Sequence, residues 1–291
     1  MKFSNYVSVT VFSIFSVASC IENDTKPFFD ANGTKPIHYG ILLFPGFQAL
    51  DVFGPLDVLN GLSLLYPFPM RLTVLANVLS PVSTHVKTQM NHTMGNALTD
   101  FDQQLVVERT FAEQLALQAL PDIQAPVTDP NVNATTPSEK IDVLIVPGGA
   151  GTRQDMTAEI AFVREMYPSL KSIMSICTGA TILSRAGILD NKRATTNKRA
   201  WKWATGTGPA VNWVGEARWV VDGNIVTSSG VSAGMDATYA FVGLNYGKEV
   251  EENLANSAEY VRWVDAAYDP FAHVWNVTEP FNGTAPVVGK C

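Results

Sequence analysis

Cys177 stands in the run Ser175-Ile176-Cys177-Thr178-Gly179-Ala180, where an apolar strand gives way to small residues that open a helix. That spacing is the S-x-C-x-G form of a nucleophile elbow, in which a tight strand-to-helix turn pushes the central side chain out above the sheet edge. A cysteine placed there meets the N–H groups of a helix N-terminus, which favour the thiolate. The chemistry expected of it is covalent addition of sulfur to a small electrophile. Free cysteine is also a common core residue, so the motif by itself fits a buried structural thiol equally well. Pro147-Gly148-Gly149 ends another apolar strand. Two glycines there let the backbone approach a ligand, and the N–H groups of Gly148, Gly149 and Thr178 are expected to hold a developing anion beside the sulfur.

A cysteine nucleophile works with an acid or base. None of His38, His85, His92 and His273 stands in a segment that returns to the elbow. Asp51 is better placed, in Phe47-Gln48-Ala49-Leu50-Asp51-Val52-Phe53-Gly54-Pro55, after the first strand and at the same sheet edge. Its apolar neighbours would desolvate the carboxyl and raise its pKa toward that of a general acid or proton shuttle. The alternative is that Asp51 caps a helix opening at Gly54-Pro55. Asp57 belongs on that helix, and Phe53 and Ile176 are the expected walls of an apolar pocket.

These residues need an α/β frame to meet. Continuous apolar runs at Tyr39–Phe44, Met70–Ala76, Ile141–Val146 and Ser172–Ile176 read as buried parallel strands. Between them come helices from Gly54-Pro55 to about Leu64, over Thr110–Ala119, after Gly151 to about Tyr167, and after the elbow to about Gly187. Residues 80–108 suggest a hairpin region. Ala217–Val221 and Asn224–Thr227, joined by Asp222-Gly223, form a second hairpin. Helices at about Ala233–Asn245 and Lys248–Tyr268 complete a domain over residues 37–268, with a proline-rich surface insertion at about 120–140 and a tail over 269–291.

The composition narrows the function. With 20 Lys+Arg against 27 Asp+Glu, the net charge of −7 leaves no cationic footprint for nucleic acid. The 46% hydrophobic and 16% charged content is that of a packed domain rather than a disordered chain. Three cysteines in 291 residues do not make a disulfide scaffold. Met1-Lys2, an uncharged apolar stretch from Tyr6 to Val17 and Ala18-Ser19-Cys20 read as a signal peptide over residues 1–20, followed by an extension over 21–36. N-x-Thr triplets at Asn23, Asn32, Asn91, Asn133, Asn276 and Asn282 agree with a eukaryotic secretory route and a glycoprotein. A bacterial lipoprotein acylated at Cys20 is the competing reading, and Cys20 and Cys291 leave a terminal disulfide open. No segment reaches the length of a transmembrane helix.

Gly40-Ile-Leu-Leu-Phe-Pro, Leu50-Asp51-Val-Phe-Gly-Pro-Leu-Asp57, Ile145-Val-Pro-Gly-Gly, Ser175-Ile-Cys-Thr-Gly-Ala180, Arg193-Ala-Thr-Thr196 and Gly230-Val-Ser-Ala-Gly-Met-Asp236 follow one another over about Ile37–Asn245. In this order they resemble the ThiJ/PfpI superfamily, and Asp51 with Cys177-Thr178 resembles its isocyanide (isonitrile) hydratase branch. The resemblance implies a flavodoxin-like three-layer sandwich of the class I glutamine amidotransferase-like type, with a mostly parallel central sheet and commonly a homodimer. It implies a hydro-lyase acting on a small molecule, with Cys177 as nucleophile, Asp51 as proton relay, Thr178 and Gly149 lining the pocket, and no metal or organic cofactor. One departure stands out: many relatives carry His after the Thr-Thr pair, where this chain has Asn197, which argues against a Cys-His arrangement. The alternatives are hydration of a glyoxal-type aldehyde and a non-catalytic secreted binding protein on the same fold. A regulator with a paired helix-turn-helix fits poorly, because only about 46 residues follow Asn245.

Overall fold

The computed structural model describes residues 35–86, 101–121 and 138–278. The expected signal peptide, Cys20, Cys291, most of the 120–140 insertion and all the glycosylation triplets except that at Asn276 lie outside the described residues.

The apolar runs become strands and the stretches between them helices. β1 (His38–Leu42) leads into α1 (Ala49–Leu65) and β2 (Arg71–Ala76). The expected hairpin over residues 80–108 is β3 (Val82–Ser83) paired antiparallel with β4 (Gln104–Leu105). β5 (Arg109–Thr110) then feeds α2 (Phe111–Gln118), whose start is set by a capping box between Thr110 and Glu113. β6 (Val143–Val146), α3 (Thr157–Met166), β7 (Ser172–Ser175) and α4 (Ala180–Arg185) follow. A small satellite comes next, with β8 (Arg193–Ala194), α5 (Trp201–Thr205) and β9 (Asn212–Trp213). β10 (Trp219–Asp222) and β11 (Ile225–Ser228) form the second hairpin, and α6 (Ala233–Tyr246), α7 (Lys248–Ser257) and α8 (Phe271–Val274) close the described chain.

Seven strands form one sheet in the order β10-β11-β7-β6-β1-β2-β5, parallel throughout except for β10. β1, β6, β7 and β11 are buried at every position, as a sheet covered on both faces requires. α1, α6 and α7 pack together in one layer, and α2, α3 and α4 in the other. The α/β three-layer sandwich is therefore as expected. After β1 the chain builds outward to β2 and β5, then returns to add β6, β7 and β11 on the other side. The strand order reverses between β1 and β6, and the crevice beyond the carboxyl ends at such a point is where open α/β sheets bind ligands.

Several boundaries differ from the sequence reading; α3, for one, begins at Thr157 rather than just after Gly151. α1 starts at Ala49, five residues before Gly54, so Pro55 lies inside it and Asp51 in its first turn; Gln48, not Asp51, is the N-cap residue. The β10–β11 loop is Gly223-Asn224 rather than Asp222-Gly223, because Asp222 pairs with Ile225 and Gly223 takes φ 61° at the first loop position. α7 stops at Ser257 rather than Tyr268. The chain beyond it is held instead by Asp236, whose Oδ1 accepts from the Tyr260 hydroxyl at 3.0 Å and the Trp263 N–H at 2.9 Å.

The same carboxylate pairs through Oδ2 with Arg218 Nη2 at 2.6 Å and Nε at 2.8 Å, and Arg218 also faces Asp269 at 3.7 Å. Arg218, Asp236 and Asp269 are all buried, so removing the cation leaves Asp236 without its ion-pair partner and Asp269 with Lys198 alone as a neighbouring cation. Arg218→Met is expected to cost about 3–5 kcal/mol, read as a lower urea midpoint. An unchanged midpoint would show that these carboxylates are neutral or solvated.

Candidate active site

β7 ends at Ser175, Ile176 remains extended, and Cys177 turns into the left-handed region at φ 56°. That conformation costs a residue with a Cβ about 1–2 kcal/mol, and both backbone groups of Cys177 are held to sustain it. Its N–H donates to the Ser229 carbonyl at 3.0 Å, and its carbonyl accepts from Thr196 Oγ1 at 2.9 Å. Ser229 follows β11 and Thr196 follows β8, so two further elements fix the elbow.

Asp51 reaches the same point from α1. It is wholly buried, and its Oδ2 accepts the Gly148 N–H at 2.9 Å. Oδ1 has no hydrogen-bond partner within the protein, and the Cys177 thiol lies near enough to stabilise the carboxylate. Burial raises the Asp51 pKa to about 7, against the Gly148 N–H and the thiol, which pull it down. Burial also pushes the Cys177 thiol well up, and the neighbouring Asp51 charge pushes it further. Three donors oppose this at the sulfur: the Thr178 N–H, the Asn197 amide at 3.1 Å and the Val231 N–H. The thiolate-favouring helix terminus expected from the elbow is therefore outweighed, because the sulfur is almost sealed from water and faces a carboxylate.

The glycines also act differently from expectation. The Gly148 N–H is bonded to Asp51, and the Gly149 N–H donates to Thr178 Oγ1 at 3.0 Å. Neither is free for a ligand anion; they position Asp51 and Thr178 instead. Only glycine fits at 148, since a Cβ there would lie 2.5 Å from the Thr178 nitrogen and 3.0 Å from Asp51 Oδ2. Of the three expected donors, Thr178 alone keeps its N–H toward the sulfur.

Asn197, Val231 and Ser229 were missed as site residues by sequence reasoning. Asn197 had a signal, since it stands where the family resemblance drawn from the sequence leads one to expect a histidine. Its Oδ1 accepts the Ala200 N–H at 2.9 Å, which orients the amide so that Nδ2 donates to the sulfur. His38 is a core residue, bonded to the Lys140 carbonyl and Thr73 Oγ1. Among the described residues no histidine is a partner of the sulfur, and no group of His, Cys, Asp and Glu is arranged to hold a metal.

A cavity of about 230 Å³ opens beside the pair. Asn197 and Val231 border both the sulfur and the cavity, whereas Cys177 and Asp51 do not themselves line it. Phe53 and Ile176 do not line it: Phe53 is exposed on α1, and Ile176 is buried in the core next to Gly234. The far wall comes from the segment read as a tail, through Asp269, Phe271 and Trp275.

Residues 40–243 match the DJ-1/PfpI family. The chain is 30% identical over 207 residues to the isonitrile hydratase of Pseudomonas putida, covering 69% of this chain and 68% of that protein. It is 27% identical over 146 residues to the HTH-type transcriptional regulator GbdR of Pseudomonas aeruginosa, which is 48% of this chain but 39% of the regulator. It is 35% identical over 92 residues to the deglycase PH1704 of Pyrococcus horikoshii, covering 31% of this chain and 54% of the deglycase. Its fold is shared with a ThiJ/PfpI family protein of Pseudomonas syringae, at TM-score 0.56 and 24% identity over 83% of this chain and 84% of that one. Drosophila melanogaster DJ-1beta has it too, at TM-score 0.55 and 18% identity over 78% and 99% of the two chains. With the elbow cysteine, the sheet order and a family match over most of its length, the chain belongs to the DJ-1/PfpI family.

Proposed function

We propose that the protein hydrates a small isocyanide to the N-substituted formamide, with Cys177 as nucleophile and Asp51 as proton relay. The observation that carries this is the buried thiol–carboxyl pair, in which one group with a pKa near 7 stands beside one whose proton is held tightly. Around pH 7 Asp51 passes from protonated to ionised, and in its ionised form the pair holds a proton on sulfur and a negative charge on Asp51. Moving the proton from sulfur to carboxylate leaves the charge of the pair unchanged, so the thiolate can form as it attacks even though an isolated thiol here would not ionise.

The reaction balances without a cofactor. The sulfur bonds to the isocyanide carbon, its proton passes through Asp51 to that carbon, and a thioimidate forms. Water adds to the thioimidate carbon, and Asp51 takes a proton from it and passes that proton to the nitrogen. The tetrahedral adduct then expels Cys177, the proton of the new hydroxyl passing through Asp51 to the sulfur, and the formamide leaves. The donors from Thr178, Asn197 and Val231 stabilise the sulfur while it carries charge. The similarity to the Pseudomonas putida isonitrile hydratase supports this reading. Among the described residues no histidine reaches the sulfur, Asn197 donating to it instead, and Asp51 is the proton acceptor beside it. Incubation with methyl, cyclohexyl and phenyl isocyanides should yield the formamides. Failure with all three would leave the binding-protein reading in its place.

A secretory route and a homodimer belong to the same proposal. Among the described triplets, Asn276 is exposed in the turn after α8. Protein recovered from the medium of a eukaryotic host should lose mass on enzymatic deglycosylation, with one glycan fewer in Asn276→Gln. A secreted form of unmodified mass would remove the glycoprotein claim.

A further inference from the structure

We infer that the segment Asp269–Trp275, beyond the family-matched residues, forms a selectivity wall that recognises a substrate with an aromatic body and a neutral hydroxyl group. This rests on the reading of Cys177 as the reacting group but goes beyond it. The family match ends at residue 243, yet the cavity beside the sulfur is also lined by Asp269, Phe271 and Trp275. These residues are fixed to the domain. The Asp269 N–H donates to the Glu216 carbonyl at 2.6 Å, Arg199 lies over the Trp275 ring at 5.6 Å, and Trp201 Nε1 donates to the Thr278 carbonyl at 2.8 Å.

Two polar side chains of this cavity are fully buried and have an oxygen with no partner in the protein. Asp269 uses Oδ1 for the Phe271 N–H at 3.1 Å and for Arg218, while Oδ2 has none. Ser229 Oγ, on the wall nearer the sulfur, has none either. A carboxylate oxygen only accepts, so its partner must be a ligand donor, and a serine hydroxyl does either, so a ligand hydroxyl suits each of them. The charges around them are mostly cationic: Arg218 lies against Asp236 and Asp269, Lys198 also feels Asp269, and Arg199 lines the cavity beside the Trp275 ring. A ligand carboxylate has no proton to give Asp269 Oδ2, and an ammonium would meet these cations, which selects a neutral hydroxyl. Phe271 and Trp275 offer aromatic surface to the rest of the ligand. The cavity volume exceeds the ~150 Å³ that accommodates benzene in an engineered protein cavity, so a substituted ring fits.

The test uses unreactive N-aryl formamides, so it does not depend on turnover. Calorimetry with formanilide and its 3- and 4-hydroxy derivatives should show one hydroxy compound binding about tenfold tighter or more, as a hydrogen bond to a buried carboxylate gives. Asp269→Asn, in which an N–H₂ replaces one oxygen, should remove most of that preference, and Ser229→Ala should reduce it. Trp275→Ala should weaken all three ligands alike. Equal binding of the three compounds to the wild type, no binding, or a preference untouched in Asp269→Asn would overturn the proposal. Parallel assays with phenyl and hydroxyphenyl isocyanides separate the two readings: a hydroxyl preference in binding without any turnover sinks the hydratase and leaves the subsite standing.

Discussion

Cys177→Ala is expected to lower formamide formation from an isocyanide by about 10³-fold or more, as loss of a covalent nucleophile does when the rest of the site stays intact. The fold should tolerate the change. Alanine accepts the φ of 56° as well as cysteine does, and the backbone bonds to Ser229 and Thr196 do not involve the sulfur. Three N–H donors and one carboxylate would then face the place of the thiol. Binding of a formamide should therefore change little while kcat falls. Equal losses in binding and turnover would mean that the cysteine shapes the pocket rather than attacking.

Asp51→Asn is expected to separate activity from stability. Asparagine keeps an oxygen for the Gly148 N–H but cannot relay a proton, so turnover should fall about 10²–10⁴-fold. Stability should move the other way at neutral to alkaline pH. The folded pKa of Asp51, about 7, lies above its ordinary value of 3.8, so between those values the native state binds more protons than the unfolded one and stability falls as pH rises. The penalty is complete above pH ~7 and amounts to a few kcal/mol. The variant should thus melt higher than wild type at pH 8, and the difference should shrink as pH is lowered toward 4. The wild-type rate should rise through pH ~7 as Asp51 becomes able to take the thiol proton, and that limb should vanish in the residual activity of Asp51→Asn. A wild-type rate that falls through this range would reverse the assigned protonation states.

The frame was readable because parallel strands buried on both faces must be continuously apolar, as Tyr39–Phe44 and Ile141–Val146 are. The elbow was readable because the turn tolerates only small neighbours. The early start of α1 leaves no mark in the sequence, because Gln48 offers no capping side-chain bond and Pro55 has the character of a first-turn proline. α7 was drawn too long because the bonds that pull Tyr260 and Trp263 away from a helical path come from Asp236, 24 and 27 residues back. Asp51 beside Cys177 could be proposed from the order of strands. The fate of the glycine N–H groups could not, since it depends on where the Asp51 carboxyl and the Thr178 hydroxyl point. Asn197 carried a signal only by contrast with relatives. Asp269 and Trp275 carried none, because their return to the cavity is set by tertiary contacts alone.

The most direct measurement is the intact mass of the protein during turnover. Rapid quenching of the wild type with phenyl isocyanide should show a transient gain equal to one isocyanide, mapped by peptide digestion to Cys177. The gain should persist longer in Asp51→Asn, where water is activated poorly, and be absent in Cys177→Ala. Formamide produced at the wild-type rate by Cys177→Ala, or an adduct on another residue that turns over as fast as product forms, would contradict the account.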